Sequence, residues 1–96
     1  MRLQVALDLV DLEQAVDMAR RLHSARAVDV IEAGTPLIKA YGTLAVSRLR
    51  ACCRDSIIFA DLKTMDVGAL EARLAHEAGA DMASVLAAAP VDTIRE

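Results

Sequence analysis

Asp8, Glu32, Asp61, Lys63 and Asp66 are the residues of this sequence whose types and spacing suit chemistry. The first four close or follow short apolar runs: Asp8 after Leu3 to Leu7, Glu32 after Val28 to Ile31, Asp61 and Lys63 after Ile57 to Ala60. A strand interior would not tolerate these charges unpaired, so they belong at strand ends. Carboxylates at adjacent strand ends can hold a divalent cation, and hard oxygen donors favour Mg²⁺. A cation beside a lysine can stabilise an oxyanion such as an enediolate. Asp61 and Lys63 are two apart, so both project to one face while the chain is extended. Any one of these residues reads equally well as a loop charge, and Asp66 as the cap of a following helix. Five of them at one end of a sheet do not.

The elements that must position them follow from hydrophobic spacing. A fourth apolar run, Met82 to Leu86, joins the other three at a nearly regular interval. Each run is of strand length and nearly continuous, which suits parallel strands covered on both faces. Strands are expected near residues 3–8, 28–33, 57–62 and 82–86. Between the first two, Leu12, Ala15, Val16, Ala19 and Leu22 share one helical face, with Asp11 as N-cap. Further helices are expected from about Gly42 to Cys53 and from about Val67 to Ala78, with Gly79 where a helix C-terminus favours glycine. Val91 to Glu96 opens another. The chain is one βαβαβαβ domain over residues 1–96. It is either an open doubly wound sheet or part of a (β/α)8 barrel, and in both the strand C-termini form the ligand face.

Composition excludes several other classes. Of the 96 residues, 55% are hydrophobic and 26% charged, unlike a disordered chain. The net charge of −3 favours neither nucleic acid nor an acidic membrane surface. Charges interrupt every apolar run before membrane-spanning length, and the N-terminus has no signal-peptide pattern, so a soluble cytoplasmic protein is expected. Two Cys make no disulfide framework. Adjacent Cys52 and Cys53 read as small hydrophobes at a helix end, the four Met as core filling, and His23 and His76 as helix-surface residues. Gly34 reads as a backbone requirement of the turn after the second strand.

These residues resemble the orotidine-monophosphate-decarboxylase superfamily, and within it the 3-hexulose-6-phosphate synthase branch. The resemblance rests on Leu3-Gln4-Val5-Ala6-Leu7-Asp8, on Glu32-Ala33-Gly34-Thr35-Pro36-Leu37-Ile38, on the D-x-K-x-x-D run Asp61-Leu62-Lys63-Thr64-Met65-Asp66, and on Ala78-Gly79-Ala80-Asp81 leading into Ser84-Val85-Leu86. It spans nearly the whole chain. Glu32 stands where orotidylate decarboxylases place a lysine and work without metal. The synthases and the 3-keto-L-gulonate-6-phosphate decarboxylases place a glutamate there and use Mg²⁺. Thr35-Pro36-Leu37-Ile38 and Leu62-Lys63-Thr64-Met65 are more similar to the synthases. Ala87 departs from the family, which has a glycine there, and Pro90 stands where the family is more polar.

The resemblance implies a Mg²⁺-dependent aldol reaction in which ribulose 5-phosphate forms an enediolate that adds to formaldehyde. It implies Glu32 and Asp61 as metal ligands, Lys63 stabilising the enediolate oxygen, and Asp8 binding a substrate hydroxyl and orienting Lys63. Asp66 would reach the site of the neighbouring subunit of a homodimer. The alternative within the family is the keto-gulonate decarboxylase. The implied fold is the first half of a (β/α)8 barrel, about four parallel βα units, since 96 residues are too few for eight. The family's histidine base and phosphate loops come from the other half, so these residues alone are expected to be inactive and to need a second copy or a complementing half-barrel. A non-catalytic half-barrel and a receiver-like phosphoacceptor module are the readings from other classes. The receiver requires a reversed strand order with helices on both faces.

Overall fold

The computed structural model describes residues 1–96 as four parallel strands in the order β1-β2-β3-β4, where β1 is Gln4–Leu7, β2 Val30–Ala33, β3 Ile57–Thr64 and β4 Met82–Val85. The order never reverses. The helices are α1 Leu12–Ser24, α2 Thr35–Tyr41, α3 Thr43–Cys52, α4 Gly68–Glu77 and α5 Val91–Arg95. Alternate strand residues Leu7, Ile31, Ala33, Ile58 and Ala60 point to one face and share a single buried core with Ala15, Val16 and Ala19 of α1, Leu37 of α2, Ala45, Val46 and Leu49 of α3, and Ala75 of α4. The opposite face carries Gln4, Ala6, Val30, Glu32, Phe59, Asp61, Met82 and Ser84, with no helix core against it. Sequential strand order with the helix core on one face is the arrangement of a (β/α)8 barrel, and it excludes the receiver.

Local chemistry explains the element ends. The Asp11 carboxylate accepts from the Gln14 N–H at 2.9 Å and caps α1. Gly79, at φ +108°, follows the C-cap of α4 as expected. Between α2 and α3, Gly42 adopts φ +63° and lets the chain turn from one helix into the next. Residues Thr35–Tyr41, for which the sequence suggests no helix, form helix α2. Pro36 in its first turn has no N–H to lose there, and Leu37 anchors it in the core.

Four further expectations need correction. All four Met are exposed rather than core filling. Met18 is off the buried stripe of α1, Met82 lies on the uncovered sheet face, Met65 sits in the β3–α4 loop and Met1 is terminal. His23 is not a free surface residue: its ring Nδ1 lies 3.0 Å from Ser56 Oγ and ties the end of α1 to the start of β3. Asp66 does not cap α4, whose N-cap is Val67; the Asp66 carboxylate accepts from the Val67 N–H at 2.8 Å. Gly34 has an ordinary φ of −65°, so its turn makes no torsional demand for glycine. No helix is long and apolar enough to cross a membrane.

Candidate active site

The site is built around a distortion in β3. Ala60 pairs with Ala83 and Thr64 pairs with Val85, so Asp61, Leu62 and Lys63 stand opposite the single residue Ser84. This bulge bends the strand and re-aims its side chains. Lys63 absorbs it in the left-handed region at φ +51°, which costs a non-glycine residue about 1 kcal/mol or more. The regular extended backbone assumed for Asp61 and Lys63 is therefore broken, yet the two side chains still meet: Lys63 Nζ donates to Asp61 Oδ2.

Two hydroxyls complete the cluster. Thr35, the first residue of α2, accepts from Lys63 Nζ at 2.8 Å, and its own proton lies within reach of Asp61 Oδ2 at 2.9 Å and the Asp61 carbonyl at 2.8 Å. Ser84 Oγ accepts from the Lys63 N–H at 2.9 Å and donates to Asp61 Oδ1 at 2.6 Å. Burial by itself would raise the Asp61 carboxyl pKa. The hydrogen bonds from Lys63, Ser84 and Thr35 outweigh it and hold the group below the usual carboxylate value. Asp61 is therefore a fixed anion. Of the three Lys63 ammonium protons, Asp61 and Thr35 take two and one is free to point outward. The Lys63 side chain is 50% exposed, so an incoming ligand can reach it.

Glu32 pairs with Phe59, two residues before Asp61, so Glu32 and Asp61 lie on the same face of neighbouring strands, one pleat apart. The Glu32 carboxylate accepts from Gln4 Nε2 at 2.5 Å, on β1. Asp8, just past β1, lies over Gly34 and is not a partner of Lys63; Asp61 and Thr35 orient the ammonium instead. Asp66 lies in the β3–α4 loop and bonds only the adjacent backbone. The structure thus brings Asp61 and Lys63 into contact, gives Glu32 and Asp66 separate partners, and places Asp8 over Gly34. No three acidic, His or Cys side chains converge as a metal site. Mg²⁺ commonly takes one or two protein carboxylates and keeps several waters, so the same-face pair Glu32 and Asp61 fits it by donor chemistry.

Thr35 and Ser84 were not singled out as site residues from the sequence alone. Thr35 opens a helix that was not expected there, and Ser84 is a small polar residue inside a strand. No signal in the sequence marks Ser84, because it falls opposite the two charged residues only through the irregular β3–β4 register.

A one-sided parallel sheet with a lysine–carboxylate pair at its C-terminal edge defines half of a (β/α)8 barrel with a ligand face. The chain belongs to the orotidine 5'-phosphate decarboxylase / HUMPS family, whose sequence profile matches residues 1–96. It is 48% identical over 94 residues to 3-hexulose-6-phosphate synthase of Mycobacterium gastri, a match covering 98% of this chain and 44% of that relative. A crystal structure of a 3-hexulose-6-phosphate synthase superposes with a TM-score of 0.91 at 49% identity, over 98% of this chain and 44% of the other. The 3-keto-L-gulonate-6-phosphate decarboxylase of Vibrio cholerae superposes with a TM-score of 0.92 at 47% identity, over 97% of this chain and 42% of the other. The chain spans less than half the length of these relatives, and the architecture is the first half of their barrel.

Proposed function

We propose that residues 1–96 supply the electrostatic half of a Mg²⁺-dependent aldolase site that joins formaldehyde to ribulose 5-phosphate, as in 3-hexulose-6-phosphate synthase. The observation that carries this reading is the Lys63–Asp61 pair at the end of β3, with Glu32 on the same face of β2. Lys63 has one ammonium proton uncommitted, and a developing enediolate oxygen is the acceptor it suits. Glu32 and Asp61 would hold Mg²⁺, which when bound supplies further positive charge beside the substrate carbonyl. Asp61 holds Lys63 in place, and Asp8 is at hand for a substrate hydroxyl. Asp66 would act across a subunit interface in a homodimer or an assembly with a complementing half-barrel.

Neither histidine of this chain suits the role of proton-abstracting base. His23 bonds Ser56 before β3 begins, and His76 ends α4 shortly before β4, so both lie towards the N-terminal end of the sheet, away from Lys63. The base and the phosphate-binding loops are accordingly assigned to the other half of the barrel. The cytoplasm, where sugar phosphates are held, is the proposed location.

A direct test replaces the matched segment of the Mycobacterium gastri synthase with residues 1–96. Formaldehyde-dependent consumption of ribulose 5-phosphate, lost with a chelator and restored by Mg²⁺, is the expected result. In the same hybrid, Glu32→Gln should weaken the dependence on Mg²⁺. The second reading, keto-gulonate-phosphate decarboxylation, is favoured by the equally close superposition on the Vibrio cholerae decarboxylase. Carbon dioxide release from that substrate by the hybrid, without aldol condensation, would replace the first reading with the second.

A further inference from the structure

We propose that Ser84 is a positioning residue of this site: its hydroxyl clamps the β3 bulge and thereby aims both Asp61 and Lys63. The inference rests on the aldolase reading for its catalytic consequence and on geometry for its structural one.

The bulge removes ladder partners from β3, because three of its residues face one residue of β4. Within the bulge the Lys63 N–H donates to Ser84 Oγ at 2.9 Å. A serine hydroxyl has one proton. Having accepted from Lys63, it turns that proton to Asp61 Oδ1, at 2.6 Å. Both ends of the bulge are thus tied to a single atom of the neighbouring strand. With Oδ1 engaged, the Asp61 carboxylate presents Oδ2 to Lys63 Nζ and Thr35. The same atom stabilises the left-handed backbone of Lys63, a conformation that its own side chain does not favour. The Ser84 hydroxyl is committed to the Lys63 N–H and to Asp61 Oδ1, and it acts through these two residues.

Ser84→Ala removes the acceptor and the donor together, whereas Ser84→Thr keeps both. Two readouts separate positioning from a general structural role. In the 96-residue chain, the Lys63 amide should exchange with solvent about 10-fold faster in Ser84→Ala, and at the native rate in Ser84→Thr. In the active hybrid, Ser84→Ala should lower kcat by about 10-fold or more with KM changed by less than about 2-fold, and Ser84→Thr should restore it. If either readout is unchanged in Ser84→Ala, the proposal is overturned. A hybrid that never turns over contradicts the aldolase reading, and the amide-exchange arm then decides the clamp by itself. If the alanine variant does not fold, Ser84→Cys, of similar size but with a weak donor and acceptor, carries the same expectations and the same overturning results.

Discussion

The Asp8 carboxylate lies directly over Gly34, so closely that a Cβ on Gly34 would come within 2.0 Å of Asp8 Oδ1 and 2.7 Å of the Leu7 carbonyl. The glycine is required for space, since its φ of −65° suits any residue. Gly34→Ala must therefore push Asp8 aside or part the ends of β1 and β2. A loss of about 1–3 kcal/mol is expected from overpacking against backbone, read as a lower Tm. Gly42→Ala is the contrast. Nothing lies within 4 Å there, so the cost is backbone strain alone: φ +63° with ψ −149° is a region essentially confined to glycine, about 1–3 kcal/mol for alanine. A Gly34→Ala variant as stable as the parent would contradict the steric account.

Arg50 joins three elements that are distant in sequence. Its Nε donates to the Gly79 carbonyl at 2.9 Å, and its Nη1 to the carbonyls of Arg54 and Ser56 at 3.0 Å each. Its Nη2 pairs with Asp81. The guanidinium thus fastens the end of α3 to the starts of β3 and β4. Arg50→Lys keeps the charge but not the planar fork, and should destabilise by about 2 kcal/mol. Amide exchange should quicken first at Ile58 and Asp81. A lysine variant as stable as the parent would show that charge alone suffices.

The strands were legible as short, nearly continuous apolar runs such as Ile57 to Ala60, and four of the five helices from apolar spacing such as Leu12 to Ala19 or, for α5, from the residues Val91 to Glu96. Helix α2 was not, although Pro36 is a usable start signal, because its seven residues bury only Leu37 and so show no apolar periodicity. The charged residues at the strand ends were legible from type and position. What joins them was not. A lysine gives no sign that its backbone will be left-handed, and the bulge that makes it so depends on the β3–β4 register. Ser84 acquires a role only once that register is known. The exposure of Met82 likewise follows from which sheet face the helices leave open.

Asp81 gives the fold an acid-sensitive joint. Its carboxylate accepts from the Ile58 N–H at 2.8 Å, and this bond, with Arg50 beside it, holds the carboxyl pKa below the usual value despite the opposing effect of burial. A depressed folded-state pKa contributes stability that is fully present above the unfolded value, near pH 4, and is lost as pH falls through the folded value. The Tm of Asp81→Asn should therefore lie furthest below that of the parent at neutral pH. The gap should narrow as pH drops below about 4. Melting curves across pH 2–7 check this, and a gap independent of pH would contradict it.

Cys52 and Cys53 have sulfurs 3.4 Å apart but should react very differently. Cys53 is fully buried, and burial, reinforced by its neighbour Cys52, pushes its thiol up to about 12. Cys52 is only partly buried. At pH 8 an alkylating reagent should label Cys52 alone in the folded protein and both residues in denaturant, as read by peptide mass. Labelling of Cys53 at the rate of Cys52 under native conditions would mean that the end of α3 opens readily.

The sheet has two free edges. β1 and β4 each pair on one side only, and the face that bears Ala6 and Met82 has no helix core against it. Unpaired strand edges and uncovered apolar side chains favour association. Two copies can place the β4 edge of each beside the β1 edge of the other, which pairs both ladders and covers both open faces about a two-fold axis. The 96-residue chain produced by itself should thus be a dimer or larger by light scattering. Gln4→Lys with Met82→Lys, which puts charge on that face, should shift it towards monomer. Such a dimer would repeat the Lys63–Asp61 pair twice without supplying a base near either, so no aldol condensation is expected from it. A monodisperse monomer at high concentration would show that the open face is tolerated in water, and the edge-pairing argument would fail.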